Sequence, residues 1–366
     1  MDSKQNEINV VLFGCGRAGQ KHLQAIKLQS SLGRLRLLAV VDPKLGRTEI
    51  SGVPVYKEME ELLAAQGTRL FGQDFASLPS ARPIFAYATP AGNHPTELVQ
   101  AISYGAHVFM EKPVALTVED AIKLQKLSAE AKQQGLKIVV GHVYRYLPPF
   151  PALAEDLHRG LYGAPILAEV KIHWGHDASY YAPAWRGKIL SDGGAVLNQG
   201  IHGLDLANWL LGGGMATLEA GLNANLKHDI EAEDYAAGTY RVRSQAIMNF
   251  SSTTITDPRQ HSAEIFLLYE GLQMKLRFAK GKLPYLTIRD SSASSRLLPY
   301  LKRSYEKYLT GIGAKWPAYL KNWHNFPYAD LWAAIVEDRD CLASLDIGIE
   351  AVLNCLQLAK PSSQNS

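Results

Sequence analysis

One short stretch constrains this chain more than any other: a β-prone run that breaks into three glycines and then a helix pattern. Residues 8–26, INVVLFGCGRAGQKHLQAI, set Gly14, Gly16 and Gly19 in GxGxxG spacing directly behind the apolar segment Ile8 to Phe13. In that context the first glycine permits a tight turn, the second lets the backbone approach a pyrophosphate, and the third lets the helix pack on the strand. The helix start then turns unsatisfied N–H groups toward an anion. Cys15, Arg17 and Ala18 fill the loop between the glycines, so their backbone belongs to the same candidate cradle.

A second apolar segment, LRLLAVVDP, ends in Asp42, 23 residues beyond Gly19. A carboxylate at that place accepts hydrogen bonds from adenosine ribose hydroxyls. The competing reading, an aspartate that merely opens a turn before Pro43, is less favoured given strand, loop, helix, strand and acid in order. The acid also repels a ribose 2′-phosphate, which points to NAD, while Lys44 and Arg47 just behind it keep NADP open. Apolar runs at 84–88, 107–110 and 137–141 then alternate with amphipathic stretches, the order of a parallel sheet covered on both faces. Their C-terminal ends carry Thr89 and Pro90, then Glu111, Lys112 and Pro113, then His142. Ligands of open α/β sheets sit at that edge. Taken alone, Lys112 is as well read as a solvated surface cation.

With 366 residues the chain has room for two domains, each with its own core. The 38 basic and 35 acidic residues leave a formal charge of +3, too little to point to nucleic acid or anionic lipid as the main partner. The opening MDSKQNEINVVLFGCG does not read as a secretory signal, and no run approaches ~18 uninterrupted apolar residues, so a cytoplasmic protein without an integral membrane segment is expected. Cys15, Cys341 and Cys355 have no CxxC spacing and read as buried thiols.

The second informative stretch is SDGGAVLNQGIHGLDLANWLLGGG, residues 191–214. Asn198, His202, Asp205 and Trp209 recur at four, three and four residues, the spacing of one helix face, while 197, 201, 204, 206, 210 and 211 supply an apolar surface. By itself this favours a satisfied core histidine over a functional one.

Taken together, GCGRAGQKH, ATPAGNH, GAHVFMEKP, PAWRG and GGAVLNQGIHGLDLANWLLG resemble the glucose-fructose oxidoreductase and inositol dehydrogenase family, Gfo/Idh/MocA, as far as about Gly214. The resemblance implies an N-terminal Rossmann domain, a doubly wound parallel sheet, and a C-terminal α+β domain with a large, mostly antiparallel sheet that supports the substrate pocket and an oligomer contact. It implies that Lys112 and His202 meet at the nicotinamide, Lys112 stabilising an alkoxide and His202 accepting the hydroxyl proton. Thr89, Pro90, His94, Glu111, Trp185 and Arg186 are then expected around the cofactor. Asn198, Arg145, Tyr146, Tyr181 and Asp205 are expected around a sugar, cyclitol or sugar derivative. The family pattern commonly has aspartate where this chain has Asn198, which rules out a full Lys-Asp-His relay. Restoring the acid with Asn198→Asp is expected to lower turnover less than changes at Lys112 or His202, and to raise activity at higher pH by supporting a protonated His202.

The boundary is expected near 145, with residues 1–145 binding the dinucleotide and 146–366 the substrate. Strand-length segments fill the second part, Gly271 marks a hairpin, and a helical stretch from Tyr328 to Leu358 is expected to pack back on the whole. The histidines at 173, 176, 202 and 228 lie in separate segments, and no metal is expected. Residues 292–322, rich in Lys, Arg, Tyr and Trp, read as a solvated helix with one ring-rich packing face rather than a membrane or partner surface. The function expected is an NAD(P)-dependent dehydrogenase that forms a homodimer or homotetramer. The alternatives are a dinucleotide-binding regulator without net turnover and an NAD-dependent glycosidase.

Overall fold

The computed structural model describes residues 7–71, 81–282, 284–306 and 312–361. They fall into two compact units, the first built from Met1–Val114, Ile122–Val143 and Ile312–Gly348, the second from Ala115–Ala121, Tyr144–Gly311 and Ile349–Ser366. Residues 312–348 thus belong to the first compact unit, although they follow the second along the chain.

The first unit carries strands β1 (Ile8–Phe13), β2 (Leu35–Val41), β3 (Glu49–Ile50), β4 (Val53–Tyr56), β5 (Ile84–Tyr87), β6 (His107–Met110) and β7 (Ile138–Val140). Their order in the sheet is β3-β4-β2-β1-β5-β6-β7, parallel throughout except for the β3–β4 pair. Strand β1 is flanked by β2 and β5, so the winding reverses beside it and a crevice opens at its C-terminal end. Every residue of β5, β6 and β7 is buried, as expected for a sheet covered by helices on both faces. Helices α1 (Arg17–Ser30), α2 (Met59–Leu70), α3 (His94–Ser103) and α4 (Val118–Gln133) are the crossovers. The late segment joins this unit because the helix Asn325–Val336 packs on α1 and β7.

In the second unit, β8 (Pro165–His173), β9 (Thr217–Ala224), β10 (Tyr235–Arg241), β11 (Ile247–Thr253), β12 (Ser262–Tyr269), β13 (Leu272–Ala279) and β14 (Tyr285–Asp290) form one sheet ordered β14-β13-β12-β8-β11-β10-β9. Only the β8–β11 pair is parallel. Gly271 lies in the turn between β12 and β13, where the hairpin is expected. Side chains of β12 alternate between buried and half-buried, the mark of a sheet packed on one face. That face receives a π-helical segment, Ala195–Gly200, and the α-helix that continues it, Ile201–Leu210. The helix presses on the strands at Gly203, where a Cβ would stand 2.5 Å from the Ile172 side chain. The closing helical stretch is broken in two, ending at Val336 and resuming as Leu345–Leu356.

Candidate active site

The glycine loop has the shape its sequence requires. Gly14 adopts a φ of 80°, and a Cβ on Gly19 would stand 2.2 Å from the Gly14 carbonyl oxygen. A Cβ on Gly16 would meet nothing within 4 Å, so open space faces the loop where a ligand needs to approach. Gly16, Arg17 and Ala18 are exposed at the start of α1, which has neither a side-chain cap nor an acidic residue in its first turn. Its end N–H groups and positive dipole end are left for an anion. Asp42 sits beside this loop, with Oδ2 accepting from the Cys15 backbone N–H at 2.7 Å and Oδ1 from that of Lys44 at 2.9 Å. Each carboxylate oxygen keeps further acceptor capacity for ribose hydroxyls. Loop, helix start and acid together fit a dinucleotide.

His94 and Glu111 brace the neighbouring strand ends from behind. His94 is buried, its Nδ1 at 2.7 Å from the Pro113 carbonyl and its Nε2 at 3.2 Å from that of Thr89. It ties two edge segments together and is not itself a ligand-facing residue, which corrects the cofactor contact expected of it. Burial lowers its pKa. The Thr89 hydroxyl donates to Glu97 at 2.6 Å, and burial pushes that carboxyl up to about 7.

Glu111 is held by two histidines from distant segments, with Oε1 at 2.9 Å from both His22 Nε2 and His324 Nε2. His22 Nδ1 meets the Tyr328 hydroxyl at 2.8 Å. Burial alone would raise the Glu111 carboxyl, but the two imidazoles outweigh it and hold it well below the usual range. Burial likewise lowers His22, against the pull of Glu111. Such a His-Glu-His group is of the kind that ligates metals, yet hydrogen bonds already join its members. Glu111 thus anchors the main chain that bears Lys112, whose own N–H lies 3.3 Å from Glu111 Oε2.

In the second unit the polar stripe divides. From Ala195 to Leu210 every residue is buried except Asn198, Gln199 and His202. Asp205 turns inward and receives both Nε and Nη2 of Arg145, at 2.8 and 2.7 Å, with the two side chains only 2% exposed. The Arg145 guanidinium also lies over Trp209, 5.0 Å from the ring centre. Arg145 and Asp205 therefore form a buried ion pair under the helix, and Tyr146 is buried with them. The substrate contacts expected of these three are corrected: burial takes them out of a ligand's reach.

His202 stacks on Tyr144, with ring centres 5.1 Å apart. Asn198 is tied into a compact network, its Nδ2 donating to Asp192 Oδ1 at 2.9 Å and to the Tyr180 hydroxyl at 3.2 Å. Arg186 donates to the same two groups at 2.7 and 2.6 Å, and it is sandwiched by Tyr180 and Trp185. Tyr180 in turn stacks face to face on His176, 3.5 Å away, and His176 meets Gln199 at 3.0 Å. Tyr181 donates to Thr254 at 2.9 Å, and burial pushes its hydroxyl up to about 12. The aromatic loop is thus fastened to the helix through Asn198 and Gln199.

Residues 8–142 match the model of the GFO/IDH/MocA oxidoreductase family's NAD-binding Rossmann domain, and residues 150–268 match its C-terminal domain. The chain belongs to the GFO/IDH/MocA family. Among its relatives, inositol 2-dehydrogenase 4 of Saccharopolyspora erythraea is 27% identical over 211 residues, which is 56% of this chain and 54% of that one. The rhizopine catabolism protein MocA of Rhizobium meliloti is 28% identical over 204 residues, 55% and 56% of the two chains. The matched stretch thus spans about half the length of these relatives. The WlbA dehydrogenase of Bordetella pertussis, solved with NADH and UDP-GlcNAcA, superposes with a TM-score of 0.75 at 22% identity, covering 97% of this chain and 95% of that one. That likeness shows the shared fold.

Elsewhere, part of the basic aromatic segment is paired or packed, while Tyr305 and Trp316 remain 49% and 47% exposed. Arg303 reaches Asp156 and Glu155, Arg296 reaches Asp290, Lys315 donates to Ser31, and Tyr300 and Tyr319 are buried. Lys307 and Tyr308 lie outside the described residues. No helix among the described residues is long and apolar enough to cross a membrane.

Proposed function

We propose that this protein is an NAD-dependent dehydrogenase that oxidises a secondary alcohol of a sugar, cyclitol or sugar derivative. One observation carries the reading: on a helical segment otherwise buried from Ala195 to Leu210, an amide pair and a histidine alone are half-buried rather than buried. His202 keeps part of its ring accessible there while it stacks on the buried Tyr144. NAD, when held by the Gly14–Gly19 loop and Asp42, would supply the acceptor for a hydride from the carbinol carbon. His202 accepts the hydroxyl proton, for which an imidazole suits neutral pH. Lys112 stabilises the developing alkoxide, with its backbone steadied by Glu111. Asp42 favours NAD over NADP through the ribose hydroxyls.

The relatives named as inositol dehydrogenase and MocA support a polyol-like substrate. A homodimer or homotetramer is supported by the outer face of the second sheet, where Leu222 is 57% exposed. A monomer in light scattering would refute that. A cytoplasmic site of action agrees with three buried, unbridged cysteines.

The reading is tested by Lys112→Met and His202→Asn. Each should lower kcat by a factor on the order of 10² or more while NAD binding, followed by fluorescence, stays within about twofold. A variant that keeps full turnover removes its residue from the mechanism. A parent protein that binds NAD but reduces none of it with any polyol or sugar is a regulator or a glycosidase instead.

A further inference from the structure

Two imidazoles converge on the Glu111 carboxylate beyond the end of β6, and the bonds on their far sides fix where the protons lie. Asn322 Nδ2 donates to the Lys21 carbonyl at 2.7 Å, which turns Oδ1 toward His324. That oxygen accepts from the His324 backbone N–H at 3.2 Å and stands 3.2 Å from the ring Nδ1. An amide oxygen only accepts, so Nδ1 carries a proton. Nε2 of the same ring stands 2.9 Å from Glu111 Oε1, and an ionised carboxylate likewise only accepts, so Nε2 carries a proton too. A histidine with a proton on each nitrogen is an imidazolium.

His22 has no such requirement. The Tyr328 hydroxyl can donate to its Nδ1 at 2.8 Å while its Nε2–H donates to Glu111 Oε1 at 2.9 Å, so a neutral ring satisfies both partners. Burial, together with the charges of His324 and Lys21, lowers its pKa against the pull of Glu111. The group therefore balances one anion, Glu111, against one cation, His324. The helix Asn325–Val336 begins directly after His324, and the Glu111 carboxylate offsets the cost of a cation at that end of the helix dipole. The other carboxylate oxygen, Oε2, lies 3.3 Å from the Lys112 backbone nitrogen, and a Cβ on Gly141 would stand 3.1 Å from it. A His324 ring without its second proton would turn a lone pair on Oε1, and the carboxylate would have to swing out of this seat.

We propose that His324 is a positioning residue: as an imidazolium it fixes the Glu111 carboxylate, and through it the main chain from which Lys112 acts. The inference rests on the dehydrogenase reading of Lys112 and adds to it a residue from the segment that follows the second unit along the chain. A charge-assisted hydrogen bond is about twice as strong as a neutral one, so the charge at position 324 matters as well as its shape.

Nitrogen NMR of isotope-labelled histidines reads the protons in the parent protein, so this arm needs no variant to fold. At about pH 7 both ring nitrogens of His324, assigned through its backbone, should be of the protonated type and stay so after dialysis against EDTA. A lone-pair nitrogen on His324 overturns the proposal, and so does a bound divalent cation whose removal changes the signals. His324→Gln supplies an N–H without charge; it should lower kcat about tenfold with KM and NAD affinity within about twofold, and quicken hydrogen exchange at the Lys112 amide about tenfold. His324→Arg keeps a charge and should lose less than about threefold in kcat. Equal losses in the two variants, a loss carried by KM or NAD affinity, or unchanged exchange at Lys112 refute the positioning role. If neither variant folds, the parent spectrum decides. Absence of NAD reduction with every polyol or sugar sinks the dehydrogenase reading, while the spectrum and the exchange at Lys112 still decide whether His324 holds that main chain.

Discussion

Asn198→Asp looks conservative on paper, and the structure makes it costly. The amide nitrogen it replaces stands 2.9 Å from Asp192 Oδ1, whose side chain is 4% exposed and receives Arg186 and the Gly187 N–H. The substitution turns a donor into an acceptor and sets two carboxylates against each other. At a separation of ~3.5 Å and an effective dielectric of ~20, the repulsion is about 5 kcal/mol. Protonation offers a way out, and holding an acid of ordinary pKa neutral at pH 7 costs about 4 kcal/mol, which caps the penalty. Arg186 recovers part by facing both oxygens, so a loss of about 2–4 kcal/mol is expected at pH 7. The sign with pH is fixed as well: the introduced carboxyl has a folded-state pKa above its unfolded value, so the folded state binds its proton more tightly. The deficit is therefore smallest near about pH 4 and grows as pH rises toward the raised value. Urea unfolding at pH 5 and pH 8 measures it. The double exchange Asp192→Asn with Asn198→Asp keeps one carboxylate and one amide and should recover more than half of the loss. Equal stability of parent and single variant at both pH values would refute the contact.

Two further outcomes follow from buried groups. Arg145→Met strands the Asp205 carboxylate, and should cost about 3–5 kcal/mol in urea unfolding, whereas Arg145→Met with Asp205→Leu should regain most of it; a single variant as stable as the parent would show that the pair is not buried. Glu97, raised to about 7 by burial, takes up a proton on folding, so its contribution to stability is full below about pH 4.5 and declines as pH rises through about 7. Glu97→Gln should flatten that part of the pH–stability curve, and parallel curves for parent and variant between pH 4.5 and 8 would disprove the shift.

How far the sequence speaks depends on how far apart the interacting residues lie. The glycine loop and its helix are contiguous, so spacing alone discloses the turn, the close approach and the cofactor edge. The strands of both sheets announce themselves by apolar runs, while their order in the second sheet is set by pairings that no local pattern records. The stripe from Asn198 to Trp209 shows the limit most clearly. Periodicity groups Asn198, His202, Asp205 and Trp209, yet the structure leaves the first two half-buried and buries the last two against Arg145, sixty residues earlier in the chain. The physical signal for that split is present in the sequence and is electrostatic rather than periodic. Arg145 stands in VYRYL and Asp205 in GLDLA, each a single charge inside an apolar run. A charge so embedded is buried only if an opposite charge meets it, so the two segments each demand a partner and each can serve as the other's. The same logic applies to Glu111 behind HVFM, whose partners His22 and His324 lie 89 and 213 residues away. Periodicity thus tells which face of an element turns inward, and unmatched charge tells which of its polar residues go inward too.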